Sequence, residues 1–305
     1  MNKYKYNSEQ LVKRYIEQYS FPDEACITEE MVIRHWELEK ELTKKLLESS
    51  VENRWEVFDY CYSKLFSDLD WLHKYVEKKG QLAPEVQYKS YIDQIGTEPK
   101  SIYEVGSGQG RLISYLASLG HLCRATEISK ERGEKHVATL KNLTWANTDG
   151  IHLSKFEPEN QYDFVIANAV VEHMHPDDIS DHFKGVYYIL KADGKYLFYT
   201  VHKFRGPVDI SRVFGMNKPM GMHLKEYMVI EFFIKLKKAG FKKIYFDKKV
   251  YTKKFYKVIP FAKYDIYYVM LAEIFLSIFP RFIRNRLIRN KLIFPLRDIF
   301  LIADK

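Results

Sequence analysis

SIYEVGSGQGRLISYLASLG, Ser101 to Gly120, is the stretch on which the reading of the fold turns. Its first five residues form a short apolar run of the kind that makes a buried strand. Gly106, Gly108 and Gly110 interrupt the run, and Leu112, Ile113 and Leu116 then recur at helical spacing. Glycines let the backbone turn sharply and approach a ligand closely, and the first turn of the following helix presents free N–H groups. A strand, a glycine loop and a helix in that order predict a nucleotide-type binding loop.

Working outward, the same alternation continues on the C-terminal side. LCRATEI, LTWAN, YDFVIAN, GKYLFYTV and FKKIYFD read as strands. Between them, SKERGEKHVATL, PDDISDHFKGVYYIL with Pro176 at an early helical position, and LKEYMVIEFFIKLKKAG read as helices. Strands alternating with helices predict an α/β fold, a mostly parallel sheet with helices on both faces. The final residues, IFLIADK, are expected to add the last strand at an edge. On the N-terminal side the chain reads as helices. Thr28 is an N-cap candidate with Glu29 and Glu30 in the first turn, and Met31, His35, Leu38, Leu42 and Leu46 follow at spacings of three and four. A second helix carries Trp55, Phe58, Tyr62, Leu65 and Phe66. Gly80 and Pro84 break the pattern. The expected organisation is an N-terminal helical cap over residues 1–90 and a sheet domain over 91–305, with a basic amphipathic insertion at 250–295 before the last strand.

A chain of 305 residues, 46% hydrophobic and 29% charged, excludes wholesale disorder and fibrous repeats. The net charge of +8 favours anionic partners without choosing among nucleic acid, lipid and phosphorylated substrates. Cys26, Cys61 and Cys123 are too scattered for a disulfide framework or a zinc site, which points to a reducing compartment. No apolar stretch follows the basic residues of the N-terminus, so no secretory signal is read there and a cytoplasmic location is expected. The longest apolar stretch, Ile266 to Phe279, is shorter than a bilayer span and contains Glu273.

Two details choose the ligand of the glycine loop. Counting the dinucleotide fingerprint from Gly106 puts its third glycine at Arg111, so that register fails. Glu104 would also oppose a pyrophosphate, at about 1–4 kcal/mol per close like-charge pair, whereas an acid there suits a cationic ligand. The segment Glu104-Val105-Gly106-Ser107-Gly108-Gln109-Gly110 resembles the first motif of class I S-adenosylmethionine-dependent methyltransferases, and the resemblance covers Tyr91 to Asp247. It implies a Rossmann-like, seven-stranded sheet and S-adenosylmethionine as cofactor. Glu127, in RATEIS beside Ile128, matches the acid that bonds both ribose hydroxyls. Asp149-Gly150 resembles the acid that accepts from the adenine amino group. YDFVIANAVVEHMHP, Tyr162 to Pro176, looks like the fourth motif, whose strand end at Asn168 lies near the methyl group. The expected cofactor residues are therefore Glu104, Gly106, Ser107, Gly108, Gly110, Glu127, Ile128, Asp149, Gly150 and Asn168.

A hydroxyl acceptor needs a base, and His is the side chain best poised near neutral pH. Of His173, His175, His202 and His223, the candidates for catalysis are His173 and His223. Glu172-His173 also resembles the pair of metal-assisted O-methyltransferases, but Ala169 stands where those carry a further acid, so no metal is expected. The segment His202 to Tyr227 is not needed to complete the sheet, and its Arg205, Asp209, Arg212 and Lys225 can bond hydroxyls and anions, which makes them candidate substrate ligands. RHWELEKEL, GPVDISR and HLKEY are similar to bacterial methyltransferases of surface-polysaccharide synthesis, implying O-methylation of a sugar in a small-molecule or lipid-linked glycan. The alternatives are a quinone-type small molecule, an RNA ribose, or a non-catalytic interaction protein that keeps the fold. Asn168 is followed by Ala169-Val170 instead of the N-P-P-Y that grips a flipped base, so nucleic acid is the weaker partner. A helix over Ile278 to Pro295, with Phe282, Ile283, Leu287, Ile288 and Leu292 on one face and Arg281, Arg284, Arg286, Arg289 and Lys291 on the rest, is expected to suit the anionic inner face of a membrane.

Overall fold

A computed structural model describes residues 5–22, 25–69, 71–72, 82–134, 138–247, 250–252, 255–259, 266–289 and 296–305. The chain divides into two compact units, Met1–Ala83 with Gly206–Glu226, and Pro84–Arg205 with Tyr227–Lys305.

The first unit is helical. α1 (Ser8–Tyr19) opens with a capping box between Asn7 and Gln10, and α2 (Glu29–Leu47) starts where Thr28 accepts from the Met31 N–H. α3 is Arg54–Asp68. The periodicity of α2 buries Val32, Trp36, Leu42 and Leu46. His35 lies on that face as well, and its polarity is satisfied: Nδ1 lies 2.7 Å from Tyr15 Oη and Nε2 lies 2.8 Å from Glu39 Oε1. Gly206–Glu226 groups with these helices instead of with the sheet, a departure from the expected 91–305 boundary with a physical cause. Arg14 donates to the carbonyls of Arg212 and Val213, Gln18 to that of Val208, and Thr43 to that of Gly221. Trp36 stacks on Phe214 with ring centroids 4.7 Å apart.

The second unit holds the sheet. Its strands are β1 (Ser101–Val105), β2 (Leu122–Glu127), β3 (Leu143–Asn147), β4 (Tyr162–Asn168), β5 (Leu190–Val201), β6 (Lys243–Phe246) and β9 (Asp298–Asp304); β7 (Val250–Thr252) and β8 (Phe255–Ile259) form a separate hairpin. Its helices are α4 (Pro84–Gln87), α5 (Lys89–Ile95), α6 (Arg111–Ser118), α7 (Lys130–Gly133), α8 (Ile179–Ile189), α9 (Val229–Ala239), α10 (Ile266–Ser277) and α11 (Arg281–Leu287). The sheet order is β3-β2-β1-β4-β5-β9-β6, parallel except for β9, which runs antiparallel to both neighbours. This is the Rossmann-like, seven-stranded arrangement expected.

Several details differ from the expectation. β9 is an interior strand, not an edge: Ile299 to Ala303 are buried, and an unbroken apolar run is what a strand covered on both faces requires. Pro176 lies in the turn before α8, which begins at Ile179. The polar helix after β2 is confined to Lys130–Gly133; residues 135–137 lie outside the described part, as does Gly80. Among the described residues of the expected 278–295 helix, Arg281–Leu287 are helical, and Leu287 and Ile288 join the core, so the apolar face drawn for it is partly used in packing. Lys291, Leu292 and Pro295 lie outside the described residues.

Glu273 explains the acid in the apolar stretch. Fully buried on α10, its carboxylate accepts from His202 Nε2 at 2.6 Å and from the Val229 and Ile230 N–H groups that open α9. His202 Nδ1 meanwhile accepts from the Phe204 N–H, which fixes the tautomer and makes this histidine part of the core. Replacing Glu273 with Ala leaves three buried donors without their acceptor, and a stability loss of about 3 kcal/mol is expected in urea denaturation. Among the described residues no helix is long and apolar enough to cross a membrane.

Candidate active site

The order of strands reverses between β1 and β4, which lie side by side although β2 and β3 separate them in sequence. Ligands of open α/β sheets bind at such a switch point, beyond the carboxyl ends of the strands. The loop after β1 and the segment after β4 meet there: a Cβ on Gly106 would lie 2.8 Å from Val170 Cγ2. Gly106, Gly108 and Gly110 all have positive φ, so the loop's path needs glycine on conformational grounds. Ala169, at φ 56°, holds the same left-handed conformation without being glycine, the sort of local strain that persists where surroundings over-determine the backbone.

The loop is held from β2. Ser107 N donates to the Thr126 carbonyl at 2.8 Å, and Gly108 N donates to Glu127 Oε2 at 2.9 Å. The other oxygen of Glu127 accepts from the Ile128 N–H at 2.9 Å. Each oxygen keeps a lone pair, so the carboxylate can still accept from a diol. Glu104 is 2% exposed, and burial holds its carboxyl well above the usual carboxylate range, with the Ile113 N–H pulling it down and Glu127 pushing it up. Its Oε2 is buried without a hydrogen-bond partner, and so is Ser107 Oγ. Two orphaned polar atoms beside one glycine loop are what a polar, positively charged ligand would satisfy. The donor set therefore fits an aminoacyl nucleoside such as S-adenosylmethionine.

Asp149 is more heavily engaged: Oδ1 accepts from the Ile151 and His152 N–H groups, and Oδ2 lies 2.7 Å from His152 Nδ1. Gly150 is fixed by His182, a residue that sequence reasoning missed. His182 is wholly buried in α8, donating from Nδ1 to the Gly150 carbonyl at 2.7 Å and accepting at Nε2 from Tyr196 Oη at 2.8 Å. Burial pushes its pKa down to about 4, so the imidazole is neutral. Below the ordinary value near 6.5 the unfolded chain binds a proton that the folded chain refuses. Stability is therefore expected to fall as pH drops from about 6.5 towards 4, by about 2 kcal/mol near pH 5 from this group. Urea midpoints measured across that range should decline less steeply in His182→Gln.

Near the end of β4, Tyr91 Oη donates to the Ala167 carbonyl at 2.7 Å and lies 3.5 Å from Asn168 Oδ1. Glu172 is buried and accepts from Thr200 Oγ1 at 2.9 Å. Neither Tyr91 nor Thr200 carries a local sequence signal, because both contacts join elements far apart in the chain. All ten expected cofactor residues, together with His173 and Arg205, thus belong to the sheet unit. His175 is 6% exposed and serves its own turn, Nδ1 accepting from the Asp177 N–H at 3.3 Å.

The remaining candidates belong to the helical unit. His223 Nδ1 lies 3.0 Å from Glu226 Oε1, and Glu226 is 4% exposed and also accepts from the Val208 N–H. A carboxylate held against Nδ1 orients the imidazole, as it does for a general base. Asp209 caps the turn at Ile210–Arg212 through the Ser211 N–H and also accepts from Gly221 N; burial pushes its pKa up to about 6, with His223 opposing and Glu39 adding. Arg212 Nε donates to the Pro207 carbonyl. In the sheet unit, Arg205 is paired with Asp298 of β9. Three of the four residues expected to bind substrate thus hold backbone or sheet in place. Lys225, the fourth, is half-buried.

Residues 103–198 match a family model described as a methyltransferase domain. The matched segment is that of a methyltransferase domain. Over 124 residues the chain is 26% identical to a probable (S)-tetrahydroprotoberberine N-methyltransferase 2 of Papaver bracteatum, covering 39% of this chain and 35% of that protein. The chain thus spans about a third of that curated relative. Among solved structures it is similar to an S-adenosylmethionine-dependent methyltransferase of Archaeoglobus fulgidus, with TM-score 0.49, 17% identity and coverage of 73% and 95% of the two chains. It is also similar to a possible histamine N-methyltransferase of Thermotoga maritima, with TM-score 0.49, 14% identity and coverage of 82% and 99%. The methyltransferase match runs from within β1 to Phe198 of β5, a segment containing every expected cofactor residue.

Proposed function

We propose that the protein transfers the methyl group of S-adenosylmethionine to a hydroxyl of a sugar, in a surface polysaccharide or a lipid-linked glycan. The observation that carries the cofactor half is the pair of unpartnered polar atoms, Glu104 Oε2 and Ser107 Oγ, beside three positive-φ glycines. Glu104 would hold the cationic end of the cofactor and Glu127 the ribose diol. When bound, S-adenosylmethionine supplies a methyl group already activated by a positive sulfur. A sugar hydroxyl, with a pKa far above 7, must lose its proton as the new bond forms. His223 Nε2 takes that proton, and Glu226 stabilises the imidazolium through Nδ1–H. Support for the acceptor class comes from this dyad and from the resemblance of RHWELEKEL, GPVDISR and HLKEY to polysaccharide methyltransferases. A lipid-carried acceptor would place the reaction at a membrane surface.

A second reading, N-methylation of a small amine, is favoured by the probable (S)-tetrahydroprotoberberine N-methyltransferase to which the chain is similar. Incubation with S-adenosylmethionine labelled in its methyl group, against panels of glycans, nucleotide sugars and amines, separates the two. Label on a glycan oxygen is the expected result. Label confined to amines would replace the acceptor assignment, and absence of transfer to every panel would overturn it.

A further inference from the structure

α10 is apolar on all sides, yet only one side is covered. Ile266, Val269, Met270, Glu273 and Leu276 face the core, whereas Leu271 is 66% exposed, Ile278 76% and Phe282, on α11, 75%. Tyr267, Ile274 and Phe275 are exposed as well. Positions 267, 271, 274, 275 and 278 follow helical spacing, so these side chains form one stripe along the helix, and Phe282 continues it in sequence onto α11. Isolated exposed apolar residues are ordinary; a continuous stripe of large ones marks a surface that meets something.

The charge around the stripe selects the partner. Between Tyr267 and Arg289 the sequence contains four arginines, Arg281, Arg284, Arg286 and Arg289, and a single acid, Glu273. Glu273 is fully buried, so no acidic side chain is exposed along α10 and α11. Arg281 and Arg284 are near enough for the positive charge of Arg281 to help lower the pKa of Arg284, after the larger effect of burial. Arg286 and Arg289 are exposed, and neither forms an ion pair among the described residues. Lys237 and Lys238 add cationic charge at the end of α9, where the Phe233 ring meets both Lys237 and Tyr267. A second copy of the chain would offer these arginines no acid on the same face. Large aromatic and aliphatic side chains next to the exposed Arg286 and Arg289 suit the boundary between acyl chains and anionic headgroups.

We infer that the exposed face of α10 and α11 docks on an anionic phospholipid bilayer, the apolar stripe entering the interface and the arginines meeting the headgroups. The assignment moves the contact from the apolar face expected for residues 278–295, part of which is core, to the outer face of α10. It goes beyond the proposed reaction and does not depend on the acceptor.

The test is co-sedimentation of the full chain with phosphatidylcholine vesicles, with and without phosphatidylglycerol, and with no acceptor present. Pelleting with the anionic vesicles alone, weakened by salt, is the expected result. Leu271→Ser with Ile278→Ser should lower the partition coefficient roughly tenfold or more, with an unchanged circular dichroism spectrum. Arg286→Gln with Arg289→Gln should lower it to a similar degree, since each basic residue near the surface adds about 1 kcal/mol of attraction, a factor of about five. Failure to pellet with either vesicle would overturn the inference, as would pelleting indifferent to both double variants. So would a concentration-dependent dimer that Leu271→Ser with Ile278→Ser dissolves while vesicles are ignored. S-adenosylmethionine binding, measured on the same variants, should be unchanged, so failure at the membrane is distinguishable from failure of the reaction.

Discussion

Gly108→Arg is expected to abolish S-adenosylmethionine binding, lowering affinity by about a thousandfold or more, while the protein remains folded. Gly108 has φ 54°, and its N–H holds Glu127 in place at 2.9 Å. A side chain there meets a left-handed backbone that L-residues adopt at a cost, and under the proposed function it would also take space needed by the ligand. The Glu127 anchor is disturbed by the same change, so the loop and the ribose acceptor are lost together. Calorimetric titration of the variant should give no saturable heat, with a far-ultraviolet spectrum like that of the wild type. Near-normal affinity in the variant would place the cofactor elsewhere.

His223→Ala should lower turnover by about 10²–10⁴-fold with cofactor affinity nearly unchanged, the range for loss of a positioned general base. Glu226→Gln should have a smaller effect in the same direction, since it removes the carboxylate that orients and stabilises the imidazolium but leaves the base. Glu226 also accepts from the Val208 N–H, so a thermal melt must accompany the rate measurement. His173→Ala is the comparison: its loss should be the lesser of the two. A His223→Ala enzyme that keeps wild-type turnover would remove this residue from the mechanism and leave His173 as the candidate.

The strand, glycine loop and helix that open the sheet were legible because their information is local. Glu104, Gly106, Gly108 and Gly110 lie within seven residues, and strand, loop and helix follow each other without interruption. The His223–Glu226 contact was legible in principle, as an i,i+3 pair in HLKE, although the acid was not singled out. What could not be read depends on distant partners. The attachment of Gly206–Glu226 to the N-terminal helices rests on contacts such as Arg14 to Val213, 199 residues apart. The place of β9 between β5 and β6 was signalled by the unbroken run IFLIA, but its position at the chain's end suggested an edge. Over the described part of residues 278–295, periodicity alone did not say which apolar side chains pack inward; Ile288 does and Phe282 does not.

The central claim is that the glycine loop and Glu104 bind a cationic nucleoside. Glu104 is buried with its carboxyl well above the usual range, which favours its protonated form in the free protein, and a bound cation favours the ionised form. Binding should therefore release a proton, and affinity should rise with pH through the region where Glu104 ionises. Calorimetric titration of S-adenosylmethionine at one pH, in two buffers of different ionisation enthalpy, measures both quantities at once. The expected result is one micromolar-range site in both buffers, with a difference in heat that reports proton release and that disappears in Glu104→Gln. Absence of saturable binding in either buffer would contradict the account.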